Sequence, residues 1–512
     1  MKGIIRPACM LILTVIVTGC VQRLERKLTP PDRVRTLDGR SPFLKVHTLN
    51  GRVYVLSPWR VAPDEKAVSG PGEVLDADRA VAGRGEFTVP IDSVAVFETN
   101  VVHTSPSVAA LAVVTGASLA LTVYCAQNPK ACFGSCPTFY VSDGERPTLQ
   151  AEGFSSSIAR ALEATDVDAL YRARVTGRDL EIGMKNEALE THNIRYVHLL
   201  AAPRPEGRRV FVTSDGIFYQ TEATLEPRAC AAPEGDCVSA LRAFDGVERF
   251  SLTDSTDLAT RETLELEFAG VPDGDLGLVI ASRQTLVSTF LFYQTLAYMG
   301  RSAGQWFAEM ERGNEMALEN SRNILRALCG IEVFIQNSAG VWVSAGEMNE
   351  TGPLATDMHL LPLPHLSPGI SKVRLSLARG HWRLDYAALV KLGRRVEPLR
   401  LQPSVVHRNG VPDERARQLL LDPARILTTL PGDEYTLVYH LPEDSGRYEL
   451  FLEGRGYYLE WMREAWLAEE NPARAALMFF DPRGAFRAMA PEFKKVEAQM
   501  ETSFWSSRYA RP

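Results

Sequence analysis

Hydrophobic and polar positions change period several times along this chain, and each change predicts a different element. Between residues 42 and 99 the period is two. Leu44, Val46 and Thr48 alternate with Lys45 and His47, and Asn50-Gly51 supplies a two-residue hairpin turn before Val53 and Val55. The run 87–97 adds a further strand, so residues 42–104 are expected to form a small β domain, barrel-like or half-sandwich. Residues 128–281 read as a sandwich-like β region, with a hairpin over 209–219 turning at Asp215-Gly216 and leucine alternation over 263–268. Proline is absent from 282–328, where Leu286, Phe290, Tyr293 and Ala297 recur at helical spacing. That pattern predicts a helical segment over 282–330, two helices broken near Gly300 and Gly304. Residues 331–405 return to strands through Val373, Leu375 and Leu377, and then through 381–386. Residues 406–512 read as mixed α/β, with Leu459, Met462 and Trp466 on one helical face and an amphipathic stretch over 491–504. The expected fold class is mainly β with α, an α+β chain.

Two stretches have no period at all. Lys2 and Arg6 precede an apolar run over 10–17 that ends in Val17-Thr18-Gly19-Cys20. A charged start, a short apolar core and small residues before a cysteine form the layout of a secretory signal, here residues 1–19. Val-Thr-Gly-Cys resembles the lipobox of bacterial lipoproteins. That resemblance implies acylation of Cys20, attachment to membrane lipid, and a short polar tether over 20–41. Val21 stands where an inner-membrane retention signal usually has Asp, which points to the outer membrane of a Gram-negative envelope. The second stretch, 105–127, holds a nearly apolar core over 107–125, and no Asp, Glu, Lys or Arg occurs between Glu98 and Lys130. Its length approaches the ~20 residues of a spanning helix. Ala112, Gly116 and Ala120 form a smooth ridge suited to close helix packing. The segment is expected to be a helix, either buried in the fold or crossing the membrane.

Charge excludes some partners. Removal of residues 1–19 takes away Lys2 and Arg6 and leaves 54 basic against 63 acidic side chains. A mildly acidic chain without a basic block is a poor match for nucleic acid, whose affinity rests on phosphate neutralisation. Of the eight cysteines, Cys9 and Cys20 belong to the signal and anchor, leaving Cys125, Cys132, Cys136, Cys230, Cys237 and Cys329. In an oxidising compartment close pairs read first as disulfides, so Cys230 with Cys237 and Cys132 with Cys136 are the candidates. A zinc site on those four cysteines is disfavoured because the six residues between Cys230 and Cys237 exceed the usual two to four and export favours disulfides, and no metal or cofactor is expected.

Catalytic signatures are absent: no Gly-x-Ser-x-Gly elbow, no phosphate-cradling loop and no His-Glu-x-x-His helix. Glu187, Glu190 and His192 form the best carboxylate–histidine cluster, and strand alternation places Glu190 and His192 together on a solvated edge. Ser155-Ser156-Ser157 reads as a loop or helix cap. Trp342, Trp382 and Tyr386 are weak ligand candidates, since aromatic faces stack on sugars; alternation sets Trp382, Leu384 and Tyr386 on one side of a strand, facing the core.

Cys136-Pro137-Thr138-Phe139-Tyr140, together with 128–135 and the following Ala151-Glu152-Gly153-Phe154-Ser155-Ser156-Ser157, resembles a group of bacterial envelope lipoproteins that carry a Cys-Pro-Thr-x-Tyr motif. The similarity runs from about residue 131 to 286 and implies location, with no activity attached. The expected role is binding or scaffolding in the envelope, with an envelope protein or a glycan as partner. A carbohydrate-binding or polysaccharide-processing protein is the alternative, and an uncatalogued hydrolase the third.

Overall fold

A computed structural model describes residues 21–105, 136–175, 177–328, 330–337, 339–349, 352–364, 372–443 and 445–506. The signal, Cys20 and the apolar segment 107–125 lie outside these residues. Strands make up 45% of the chain and helices 22%, so sheets form the framework and the fold is mainly β with α.

The first sheet has seven antiparallel strands and spans 21–105. Leu44–Thr48 and Val53–Leu56 pair across the Asn50-Gly51 turn, where Gly51 takes φ +83 and lies so close to Ile426 that a Cβ would collide with it. Residues 21–29, expected as tether, are instead the strand Val21–Thr29, paired along its length with Val94–Ser105. Its charges hid it. Arg26 is buried and bonded to Glu98, so a polar-looking segment satisfies its charges inside the fold.

The central body interleaves distant parts of the chain in two sandwiches. One joins a sheet containing Thr138–Ser142, Pro147–Glu152, Asp179–Lys185 and Glu434–His440 to a sheet containing Ala164–Ala169, Glu190–Pro203 and Tyr448–Glu460. The other joins a sheet of Val210–Val212, Asp357–Pro362, Leu276–Gln284 and Trp382–Val396 to one of Arg261–Glu267, Lys372–Ala378, Ile331–Gln336 and Trp342–Met348. Their inner sheets pack on each other through Leu200, Ala202 and Phe451 on one side and Val279, Ala281, Met358 and Leu360 on the other. Leu276–Gln284 and Tyr448–Glu460 are consequently buried on both faces along nearly their whole length, so neither alternates between apolar and polar residues as a half-solvated strand does. Leu459, expected on a helix, belongs to that second strand for this reason.

Helices cap one end. Three, not two, follow the central strand: α1 (Leu286–Met299), α2 (Ala303–Glu311) and α3 (Glu315–Leu328). The added break falls at Gly313, at φ +71. They share an apolar cluster with the C-terminal helices Pro472–Phe480, Pro482–Lys494 and Glu497–Ser506. Among the described residues no helix is long and apolar enough to cross a membrane.

Candidate functional site

Cys136-Pro137 leads into Thr138–Ser142, which pairs with Pro147–Glu152. Thr138 lies opposite Glu152, and Gly153 N donates to Pro137 O at 3.0 Å. The two motif segments, 136–140 and 151–157, are therefore the two ends of one hairpin. Phe154, buried, takes φ +41, a conformation rare for a bulky side chain, and its N–H donates to Asp166 Oδ2 at 3.2 Å. The turn brings Ser155 back so that its hydroxyl donates to Glu152 Oε1 at 3.1 Å. Leu354 N donates to Glu152 Oε2 at 2.7 Å; Gly352 permits this approach, because a Cβ there would fall 2.7 Å from the same oxygen.

This hairpin end forms part of the wall of a cavity of about 820 Å³. Helix α1 supplies Thr289, Leu291 and Phe292, α2 supplies Trp306, and the strand ends supply Cys136, Glu152, His381, Trp382 and Tyr458. The exposed surface of the lining is mostly apolar, as in many small-molecule sites, and Arg322, Arg326, Glu347 and Asn349 also border the cavity.

Burial suppresses charge on three of the lining groups. Burial pushes the Glu152 carboxyl up to about 7, against the pull of the Leu354 N–H and the Ser155 hydroxyl, so it both donates and accepts near neutral pH. Burial, helped by Arg261, pushes His381 down to about 3 and keeps its imidazole uncharged. The Cys136 thiol is pushed well up by burial and by Glu190 and Glu152, which keeps it a thiol and a poor nucleophile. Three of the lining residues carry a ring nitrogen that is closed off from solvent and has no hydrogen-bond partner among the described residues: Trp306 Nε1, Trp382 Nε1 and His381 Nδ1. Two are indole donors that only an acceptor can satisfy, and each unpaired buried group costs about 1–3 kcal/mol.

Beside Tyr458 lies a fully buried polar network. The Tyr293 hydroxyl lies 3.1 Å from Glu190 Oε1 and 2.9 Å from Glu460 Oε2, with a single proton for the two, and His192 Nε2 is 3.1 Å from Glu190 Oε2. The expected solvated edge is thus an interior one: Glu190–Pro203 is a central strand, paired with Tyr448–Glu460, and α1 covers it. Glu187 is apart from this network and accepts from Tyr140 OH at 2.7 Å.

Of the other residues singled out in the sequence, Cys20, Cys125, Cys132 and Cys329 lie outside the described residues. Cys136 is a buried free thiol rather than a disulfide partner, with the Ser155 and Tyr458 hydroxyls at its sulfur. Cys230 and Cys237 form a disulfide with Cα atoms 5.0 Å apart. The three aromatic candidates do not converge. Trp342 sits on the outer sheet beneath the Arg374 guanidinium, 4.1 Å from its ring centre, and Trp382 is 1% exposed. Tyr386 departs from the expected side because a bulge intervenes: Ala281 pairs with Tyr386 but Ser282 with Leu384, leaving Asp385 as the extra residue. The parity of the strand flips there, so Trp382 and Leu384 face one core and Tyr386 the other.

Glu152, His381 and Trp306 carried no sequence signal of their own; only the place of Glu152 inside the second quoted motif segment, 151–157, hinted at it. Among the described residues no group of three or more His, Cys, Asp or Glu is placed to hold a metal.

No protein-family model matches this chain, and no curated protein does. Among solved structures, a β-porphyranase of glycoside hydrolase family 86 from the human gut bacterium Bacteroides plebeius aligns at 11% identity, covering 49% of this chain and 39% of that chain, with a TM-score of 0.17. BuGH86wt in complex with neoagarooctaose aligns at 6% identity over 45% of this chain and 34% of that one, TM-score 0.15. A structure of infectious bursal disease virus Gx strain aligns at 9% identity over 95% and 92%, TM-score 0.11. The match thus spans about two fifths of the first structure. Likeness at these scores carries no argument about function.

Proposed function

We propose that this chain is an envelope lipoprotein, anchored through acylated Cys20, that binds a small, predominantly apolar, oxygen-bearing ligand in the cavity beneath α1. One observation carries the reading: a cavity of about 820 Å³ whose exposed lining is mostly apolar and whose wall includes the Glu152 carboxyl. A ligand with an apolar body packs against Leu291 and Phe292, and a carbonyl or ether oxygen on it accepts from the protonated Glu152 carboxyl. Export and anchoring are supported by the residues around Cys20.

The anchor is tested by fractionating cells that express the wild type and Cys20→Ala, with mass spectrometry of the mature N-terminus. Acylation and membrane retention lost in the variant support it; retention unchanged by the mutation contradicts it. The cavity is tested by thermal-shift titration with neutral medium-chain acyl esters and lactones, because a ligand at a hundred times its Kd stabilises by about 2.7 kcal/mol. Thr289→Trp places an indole from α1 in the cavity. It is expected to fold normally and to abolish the shift, whereas equal shifts in both proteins, or none in the wild type, overturn the reading.

A further inference from the structure

A second concavity, of about 480 Å³, lies away from the cavity, where the two inner sheets meet, and Tyr386 is one of its walls. Two arginines in it are held rigidly. Arg172 stacks 4.1 Å from the centre of the Phe244 ring and bonds Asp385 Oδ2 at 2.6 Å. Arg209 stacks 4.4 Å from the centre of the Tyr171 ring and bonds Glu449 Oε2 at 2.8 Å. Both acids are buried, Asp385 completely, and Asp385 is also fixed by the N–H groups of Asp245 and Gly246. The bulge at Asp385 therefore does two things: it provides the brace for Arg172 and turns Tyr386 into the cleft.

The side chains of Arg172 and Arg209 remain 36% and 42% exposed, so guanidinium N–H groups not spent on their braces face solvent. Arg174, exposed at the same cleft, adds a third cation. Fixed, aromatic-backed guanidinium groups suit bidentate recognition of a carboxylate. The cleft also carries acceptors. Asp143 and Asp245 each spend a carboxylate oxygen on nearby backbone N–H groups, and Thr224 contributes a hydroxyl. Donors for a carboxylate, acceptors for hydroxyls and an aromatic wall together match one ligand chemistry.

We propose that this cleft binds an acidic saccharide, its carboxylate at Arg172, Arg174 and Arg209 and its sugar ring against Tyr386. The site is independent of the cavity beneath α1.

The test is isothermal titration of the full chain at low salt with trigalacturonate, with galactotriose as the uncharged counterpart, and with sodium sulfate. Arg174→Gln is the informative variant, because Arg174 is exposed and braces no buried acid, so its melting temperature stays that of the wild type. The expected result is binding of trigalacturonate, binding of galactotriose at least about tenfold weaker, and a loss of about tenfold in Arg174→Gln, the scale of one charge-assisted hydrogen bond. Absence of trigalacturonate binding overturns the proposal, as does equal affinity for galactotriose. Sulfate binding as tightly as trigalacturonate overturns it too, leaving an anion site without saccharide recognition. Trigalacturonate binding abolished by Thr289→Trp but untouched by Arg174→Gln places the sugar in the cavity, which overturns this assignment while the cavity still binds a ligand.

Discussion

Glu98→Gln is expected to destabilise the protein by about 3–5 kcal/mol, the cost of stripping the counter-charge from a buried ion cluster. Glu98 is 1% exposed and accepts from Arg26 at 3.2 Å, Lys45 at 2.9 Å and Asn100 at 3.1 Å, with His47 Nε2 at 3.0 Å. Arg26 and Lys45 also reach Glu311 on α2, so the cluster fastens the first sheet to the helical cap. A glutamine keeps the shape but leaves the two cations only the more exposed Glu311 carboxylate, 3.1 Å from Arg26 and 3.5 Å from Lys45. Denaturant unfolding measures the loss, and Glu311→Gln, at a more exposed partner, is expected to cost markedly less. The pH dependence follows the same logic. Burial works to raise the Glu98 pKa, but Arg26, Lys45 and His47 outweigh it and hold the carboxyl well below its usual value. A depressed carboxylate contributes stability that is fully present above the ordinary carboxylate range and is lost as pH falls through it toward the folded value. The wild type is therefore expected to lose stability in acid more steeply than Glu98→Gln. Parallel acid profiles would place the cluster outside the stability of the fold.

Glu152→Gln is expected to act in the opposite direction. The Glu152 carboxyl, raised by burial to about 7, binds its proton in the folded state at pH values where the unfolded chain has released it. Its contribution is accordingly intact below the unfolded value near 4.5 and declines as pH rises toward 7. Glutamine mimics the protonated form at every pH, so the variant gains on the wild type between pH 5 and 8, by up to about 3 kcal/mol. Stability curves that differ by a constant across this range would show a carboxyl that titrates normally. A buried acid that weakens the fold at neutral pH invites a functional explanation, and its place on the cavity wall supplies one: a ligand there meets a group able to donate or accept.

Much of the fold was legible in the sequence where one face of a strand meets water. Leu44, Val46 and the Asn50-Gly51 turn marked the first sheet, and Asp215-Gly216 marked the hairpin of Val210–Val212 with Phe218–Leu225 in the central body. Legibility failed where strands are buried on both sides, because Tyr448–Glu460 has no period to read. It failed again at Asp385, where one extra residue reversed the facing of Tyr386. The interleaving of 138–203 with 405–460 depends on long-range pairing that no local pattern encodes. The site was half visible. Both motif segments stood out, but Thr138 opposite Glu152 is a register fact, and the unpartnered indoles of Trp306 and Trp382 exist only once the helices dock.

Native mass spectrometry of the protein released gently from its own membranes tests the central claim most directly. The account predicts a non-covalent adduct beyond the acyl chains on Cys20, present in the wild type and absent from Thr289→Trp. A wild-type mass equal to the acylated polypeptide alone, or an adduct that Thr289→Trp retains, would contradict it.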